Sequence, residues 1–486
     1  MSKVQTSYRG AFVDGEFLDT SEEFVITNPA TGEEVARVAE SGKEGVNAAL
    51  ESSKQAQEAW AAMDPAERGR RLRNVADLIR KHLEDLAETT TLEIGRPIQQ
   101  SKGLIGSTAD YFDYYGGLPD KIEGETIPVP GEQQAFTRKE PLGVSAQIIP
   151  WNAPVLLCAR GIAPAMAAGN AVVVKPAPEA PLGIIQLAEI ASEAGIPDGV
   201  LNVVPGDGVN TGAALTGDAR IDQLTFTGSV ATGQLVGEAA MKQMIPLAME
   251  LGGKSPAIVF DDANIDDAVA GAVKALSMLS GQVCFATTRV FVHEDIYDTF
   301  RESLISAVDS LTIGPGLEGP DLGPLISEQA LEKASRYVEE ATANGAEAIT
   351  GGSSVERDGN FYLPTVIEGA ADDAAISCEE VFGPVINLYA FSSEEEVIER
   401  ANDTEFGLYA TLWTNRLDRG HRVANQIESG SVMVNQYAGS YPQTPFGGYK
   451  KSGFGREKGM QAVEHYTQLK TINIAYGTGS DDPFDA

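Results

Sequence analysis

Between residues 144 and 260 the chain alternates short apolar runs with longer stretches in which apolar positions recur every three or four residues. The runs are VSAQIIP, NAVVVKP, GVLNVVP, QLTFTGS and SPAIVF; LGIIQLAEIASEAG and VATGQLVGEAAMKQM lie between them. Unbroken apolar runs of this length predict strands buried on both faces, and the intervening periodicity predicts helices. Together they predict βαβ units, hence a parallel sheet covered by helices on both sides. A second alternation follows, through TRVFVHED, YDTFRESLISAVDSL, EKASRYVEEATANG, FGPVINLYAF, EEEVIERAN and GSVMVN, and predicts a second α/β unit.

Upstream, a short strand-like segment precedes two helical stretches, VNAALESSKQAQEAWAAM and a longer one opened by Asp64, Pro65 and Glu67. An N-capping aspartate, a proline in the first turn and a nearby acid make a helix start. Residues 119–140 and the tail from 468 look extended, and such arms often pair with another subunit's sheet edge. The expected division is therefore one α/β unit from residues 1–118 and 141–251, a second from 252–467, and a small β arm from 119–140 and 468–486, ending in a frayed SDDPFDA.

A chain of 486 residues with 43% hydrophobic content can fill two or three cores. Its longest apolar stretch, PVLLCARGIAPAMAAGNAVVV, contains Arg160 and Asn170, so it reads as a core helix running into a buried strand and not as a membrane span. The N-terminus lacks the apolar core of a signal peptide. Cys158, Cys284 and Cys378 are odd in number, widely spaced and without a C-x-x-C pair, so no disulfide framework and no metal site are expected, and a reducing cytoplasm fits best. Seventy acidic against 36 basic residues give a net charge of −34, spread along the chain. Nucleic acid is repelled by such a surface. Self-repulsion relieved by salt predicts a halophilic protein of a high-salt cytoplasm; ordinary solubility is the plainer reading.

Among candidate chemical groups, Cys284 in SGQVCFATTR stands in a small, polar stretch and could be buried filler, a metal ligand or a nucleophile. Its thiol needs activation from an ordinary pKa of about 8.5. Glu250 in MELGGKS ends an apolar run before two glycines, either as a desolvated general base or as a structural carboxylate on backbone amides. Asn152 in IIPWNAP could cap a turn or donate to an oxyanion. In FTGSVATG, Gly228 and Ser229 end a strand where a helix begins, a setting that favours a pyrophosphate or makes a plain turn. GDGVNTG, with Gly206, Gly208 and Gly212, misses the dinucleotide glycine spacing by one. Lys175 lies just beyond a buried strand, where it could hold ribose hydroxyls or a 2'-phosphate, or simply face solvent. A thiol hydrolase would need a histidine base, and His82, His293, His421 and His465 all lie outside glycine-rich or strand-end settings.

Taken together, PWNAP, KPAPEAP, FTGS, MELGGKS, GQVC, EEVFGPV and PFGGYKKSGFGRE, in that order, resemble the NAD(P)-dependent aldehyde dehydrogenase superfamily, with 34 residues from Glu250 to Cys284. The resemblance runs over residues 10 to 470. It implies a Rossmann-like cofactor domain (1–118 and 141–251), an α/β catalytic domain (252–467) and a bridging β arm for a homodimer or homotetramer. It implies Cys284 as nucleophile, Asn152 as oxyanion donor and Glu250 as the base for thioester hydrolysis. It assigns Lys175 to the adenosine ribose, Gly228 and Ser229 to the pyrophosphate, Glu380 and Phe382 to the nicotinamide ribose and ring, and Trp151, Gly208, Gly212, Phe226 and Leu251 to the cofactor surface. Many NAD-preferring members carry a glutamate three residues after the lysine; here that position is Pro178, with Glu179 adjacent, so NAD and NADP both stay open.

Arg160, eight residues after Asn152, lies where some members for acid semialdehydes or aromatic aldehydes carry arginine; it either pairs with a substrate carboxylate or with a neighbouring helix or subunit. The expected activity is oxidation of a small aldehyde to its carboxylate. A CoA-acylating enzyme and a non-catalytic protein on the same fold are the alternatives; Glu250 argues against the first, and the intact set of Asn152, Glu250 and Cys284 against the second.

Overall fold

The computed structural model describes residues 8–438 and 441–476; the expected frayed end SDDPFDA lies outside the described residues. Two mostly parallel sheets dominate. The first has the spatial order Gly453–Phe454, Leu247–Glu250, Gln223–Thr227, Val144–Ile149, Ala171–Pro176, Leu201–Val203, Ala11–Val13 and Glu16–Leu18. Its inner five strands are parallel, and antiparallel strands close both edges. The run AVVVKP explains its own position. Side chains alternate across a strand, so Val172 and Val174 enter the core on one face and Val173 the core on the other, all fully buried. Helix Pro154–Ala168, buried almost all round, runs into this strand as expected of the longest apolar stretch.

The second sheet has the order Glu347–Thr350, Thr365–Glu368, Val385–Phe391, Arg289–His293, Pro256–Val259, Tyr409–Trp413 and Ser431–Val434, parallel except for its first strand. The same alternation splits Ala257 and Val259 from Ile258 and Phe260. The run SPAIVF thus opens this sheet and does not continue the first, whose place beside Gln223–Thr227 is taken by Leu247–Glu250.

Three further expectations meet the structure. Asp64 caps helix Pro65–Lys81 by accepting from Ala66 and Glu67 amides, but the long second stretch is divided: His82 leaves helical geometry at φ −100° and ψ 18°, and a separate helix spans Leu83–Ile94. Gly453 and Phe454, expected with the second unit, pair instead with Glu250 and Met249 on the first sheet, and Ala462, Val463 and Tyr466 join its core. The arm is a three-stranded sheet in which Thr467–Ala475 pairs antiparallel with Gln133–Pro141 over nine positions, flanked by Thr126–Ile127. Among the described residues no helix is long and apolar enough to cross a membrane.

Candidate active site

Parallel strands expose free backbone and loops at their carboxyl ends, which is where such sheets bind ligands. Strand Val144–Ile149 delivers Trp151 and Asn152 there, immediately before Pro154 opens the next helix. Asn152 is buried and held at both ends. Its backbone carbonyl accepts from Arg96 Nη2 at 2.9 Å, and its Nδ2 donates to the Gln282 carbonyl at 3.0 Å. Gln282 is itself fixed: its Nε2 donates to the Leu279 carbonyl at 2.9 Å, and its Oε1 accepts from the Ile326 amide at 3.0 Å.

Cys284 follows two residues later, partly buried, on the segment leading to strand Arg289–His293. This segment is strained. Leu279 and Ser280 hold φ of 45° and 53°, a left-handed conformation that costs a non-glycine residue about 1–3 kcal/mol. Gln100 Oε1 accepts from the Leu279 amide at 3.0 Å, and Ser280 Oγ donates to the Gly323 carbonyl at 2.7 Å, which keeps the chain in that shape. Gly253 is required behind it, since a Cβ there would stand 2.5 Å from the Cys284 carbonyl oxygen. Burial pushes the Cys284 thiol up to about 12, and Glu380, Glu250 and Glu457 add to the rise while Arg160 opposes it.

Glu250 ends its strand between Thr227 on one side and Gly453 on the other, and is buried. Its Oε2 has no hydrogen-bond partner among the described residues. Burial and then the Glu457 carboxylate hold its carboxyl well above the usual range, against the pull of Arg160, Arg456 and Lys458. Arg160 forms a buried ion pair with Glu457 and stacks over the Phe446 ring at 4.8 Å. Lys458, with a φ of 62°, packs its ammonium 5.4 Å from the same ring, and burial and then Arg160 push it down to about 7.

The residues expected at the cofactor fall into three neighbouring groups. In the first, Lys175 is buried and donates to the Pro176 carbonyl at 2.9 Å; burial pushes it down to about 8, against the carboxylates of Glu179, Glu40 and Asp207. Gly208–Gly212 form a single helical turn capped by Asp207, with Gly212 packed so that a Cβ would sit 3.7 Å from Lys175 Cε, while Gly208 is open. In the second, Ser229 caps helix Val230–Gln243 by accepting from the Thr232 amide at 3.2 Å. A Cβ on Gly228 would lie 2.6 Å from the Phe226 ring, and one on Gly233 2.8 Å from Leu251. In the third, Glu380 accepts from the Gly253 amide at 2.9 Å, and Phe382, at φ 60°, meets the edge of Trp151 at 5.6 Å. Side-chain-free glycines, a helix N-terminus and a buried lysine at strand ends fit a dinucleotide.

The structure therefore gathers Asn152, Cys284, Glu250 and Arg160 around one centre, with Trp151, Glu380 and Phe382 beside it and Gly208, Gly212 and Lys175 in a group of their own. Sequence reading missed Arg96, Gln100, Gln282, Glu457 and Lys458. Gln282, in GQVC beside Cys284, and Glu457 and Lys458, following SGFGR inside a glycine-rich segment, had a local signal. The others are polar residues at helix ends and turns whose partners lie far away in the chain.

Comparisons with known proteins show the family of the chain. The model of the Aldehyde dehydrogenase family matches residues 17–472. Betaine aldehyde dehydrogenase of Cereibacter sphaeroides (strain KD131 / KCTC 12085) is 43% identical over 472 residues, covering 96% of this chain and 97% of the relative. The structure of an aldehyde dehydrogenase from Bacillus cereus in complex with NAD+ matches at a TM-score of 0.95 and 38% identity, covering 97% of both chains. An NADP dependent enzyme of E. coli matches at a TM-score of 0.95 and 39% identity, covering 96% of this chain and 98% of that one. The chain belongs to the aldehyde dehydrogenase family and is an NAD(P)-dependent enzyme of that class.

Proposed function

We propose that this enzyme oxidises an aldehyde to its carboxylic acid through a thiohemiacetal and a thioester on Cys284. The observation that carries the reading is the bond from Asn152 Nδ2 to the Gln282 carbonyl, which sets the amide's second N–H beside the nucleophile's segment. Cys284, as thiolate, attacks the aldehyde carbon, and the Asn152 amide with the Cys284 backbone N–H holds the oxygen as it becomes negative; one such donor is worth about a hundredfold or more in rate. Bound NAD(P)+ supplies a hydride acceptor. Lys175, Gly228, Ser229, Glu380 and Phe382 would hold it, with Trp151, Gly208, Gly212, Phe226 and Leu251 completing the surface. Glu250, with an oxygen unpartnered among the described residues and a pKa raised by burial, takes a proton from the water that attacks the thioester carbonyl. The C–S bond then breaks, releasing the acid and the thiol.

For the substrate we propose an aromatic aldehyde. Phe285 and Tyr437 lie beside Cys284 with ring centroids 6.0 Å apart, and the buried Tyr437 hydroxyl has no hydrogen-bond partner among the described residues. The Arg160 charge is already met by Glu457, so an acid semialdehyde would have to compete with a buried carboxylate for the same guanidinium. The arm strand Thr467–Ala475 has an outer edge that pairs with no other strand among the described residues and supports a homo-oligomer, whose mass in light scattering is the check.

The test is reduced-cofactor absorbance with aromatic, acidic and cationic aldehydes, with NAD+ and NADP+, with and without CoA. Activity that survives Cys284→Ala sinks the mechanism, acyl-CoA as product makes the enzyme acylating, and Arg160→Ala altering acid-versus-neutral selectivity restores the clamp.

A further inference from the structure

We propose that the turn Gly95–Pro97, between helices Leu83–Ile94 and Ile98–Gly116, is a positioning element of the reaction, with Arg96 holding Asn152 in register with the nucleophile's segment. The proposal rests on Asn152 being the oxyanion donor. Arg96 is buried, its Nη2 donates to the Asn152 backbone carbonyl at 2.9 Å, and its Nε has no hydrogen-bond partner among the described residues. A guanidinium is costly to bury against a carbonyl instead of a carboxylate, and a position that only had to fill space would be served by an apolar side chain.

What the arginine accomplishes follows from the bonds on either side. An amide nitrogen has two N–H groups. Asn152 commits one to the Gln282 carbonyl, so the direction of the other is set by where the Asn152 backbone stands. Arg96 fixes that backbone. One turn of helix further on, Gln100 Oε1 accepts from the Leu279 amide, while its Nε2 donates to the Ser277 carbonyl at 3.2 Å and the Asp321 carbonyl at 3.1 Å. The same short piece of chain thus grips the donor's loop, which hangs from the first sheet, and the nucleophile's segment, which belongs to the second. The turn is itself wedged in place. A Cβ on Gly95, at φ 73°, would lie 2.4 Å from Pro324, and one on Gly323 2.0 Å from the Gly95 carbonyl oxygen. Loss of Arg96 leaves the amide present but free to drift, and a displacement near 1 Å at such a donor costs about a hundredfold.

The test is a double-mutant cycle on the full-length enzyme with its cofactor: Arg96→Ala, Asn152→Ala and both together, with Arg96→Lys as companion, each read as the burst of reduced cofactor and as kcat and KM. Expected are a burst slowed about tenfold to a hundredfold by Arg96→Ala with KM changed less than about threefold, partial rescue by guanidinium ion, and less than about twofold further loss when Asn152 is already alanine. Losses that multiply in the double variant, or an Arg96→Ala enzyme with an unchanged burst, overturn the positioning role while leaving Asn152 in place. An unchanged burst in Asn152→Ala removes the oxyanion reading and the proposal with it. If Arg96→Ala does not fold, the same cycle is run with Arg96→Met, which fills the space without a donor, with the same criteria.

Discussion

Arg160 and Glu457 form a buried ion pair whose two members act in opposite directions on the Cys284 thiol, the guanidinium lowering its pKa and the carboxylate raising it. Arg160→Ala should therefore move the thiol pKa upward and Glu457→Gln downward. The rate of Cys284 alkylation by iodoacetamide, followed against pH without cofactor, reads both shifts. In the parent enzyme that rate should still be rising above pH 9. Shifts of the same sign in the two variants would show that they act through packing and not through charge. Each variant should also lower stability by about 3–5 kcal/mol, because it leaves a buried charge without its partner.

Glu250→Gln should keep the burst of reduced cofactor and slow steady turnover, since the first half of the reaction does not call on the carboxylate and the second does. Burial and Glu457 raise the carboxyl pKa, so hydrolysis of the acyl-enzyme should speed up as pH rises through that pKa and then level off. Rapid-mixing absorbance over a pH series measures both phases. Equal loss of burst and turnover would remove Glu250 from its role.

Glu93 gives a prediction about stability. It is buried at the start of helix Leu182–Glu193, accepting from the Leu182 amide at 2.8 Å and the Gly183 amide at 3.2 Å, and burial pushes it up to about 8. Between an ordinary 4.5 and 8 the unfolded chain has released this proton while the folded chain keeps it. The contribution is therefore fully present below 4.5 and is lost as pH rises toward 8. Glu93→Gln, which cannot ionise, should be less stable than the parent at pH 5 and close the gap by pH 8.5 in thermal melts. A gap independent of pH would mean that Glu93 ionises normally in the fold.

A net charge of −34 predicts that molar KCl raises the melting temperature and the retained activity relative to low salt. Surface pairs such as Arg37 with Glu23 and Arg422 with Glu394 are weakened by the same salt, but exposed pairs of this kind contribute little to stability. The repulsion among unpaired acids should win. A flat or falling melting temperature between 0.1 and about 2 M KCl would remove the high-salt reading.

The parts of the fold that were legible in the sequence are those written in a local period. Val172, Val173 and Val174 announce a strand buried on both faces, and Asp64 with Pro65 announces a helix start. The break at His82 was not legible, because apolar spacing continues across it and only the backbone geometry changes. The catalytic candidates were visible as unusual residues at the ends of apolar runs. Their support was not. Asn152 meets Gln282 130 residues away and Arg96 meets Asn152 across 56, and no local pattern marks a side chain whose purpose is a carbonyl elsewhere. Arg160 was read with two possible partners, and only the packing of the PFGGYKKSGFGRE segment against its helix brings Glu457 within reach.

Asn152 hangs from one sheet and Cys284 from the other, and an amide-to-carbonyl contact, a short turn of chain and the packing of Trp151 beside Val283 join them. A slip of an ångström between the halves would part donor from sulfur while every strand remained intact, so catalytic competence should fade on warming before circular dichroism registers any change. In this molecule the reaction itself is the finest gauge of how the two halves are seated.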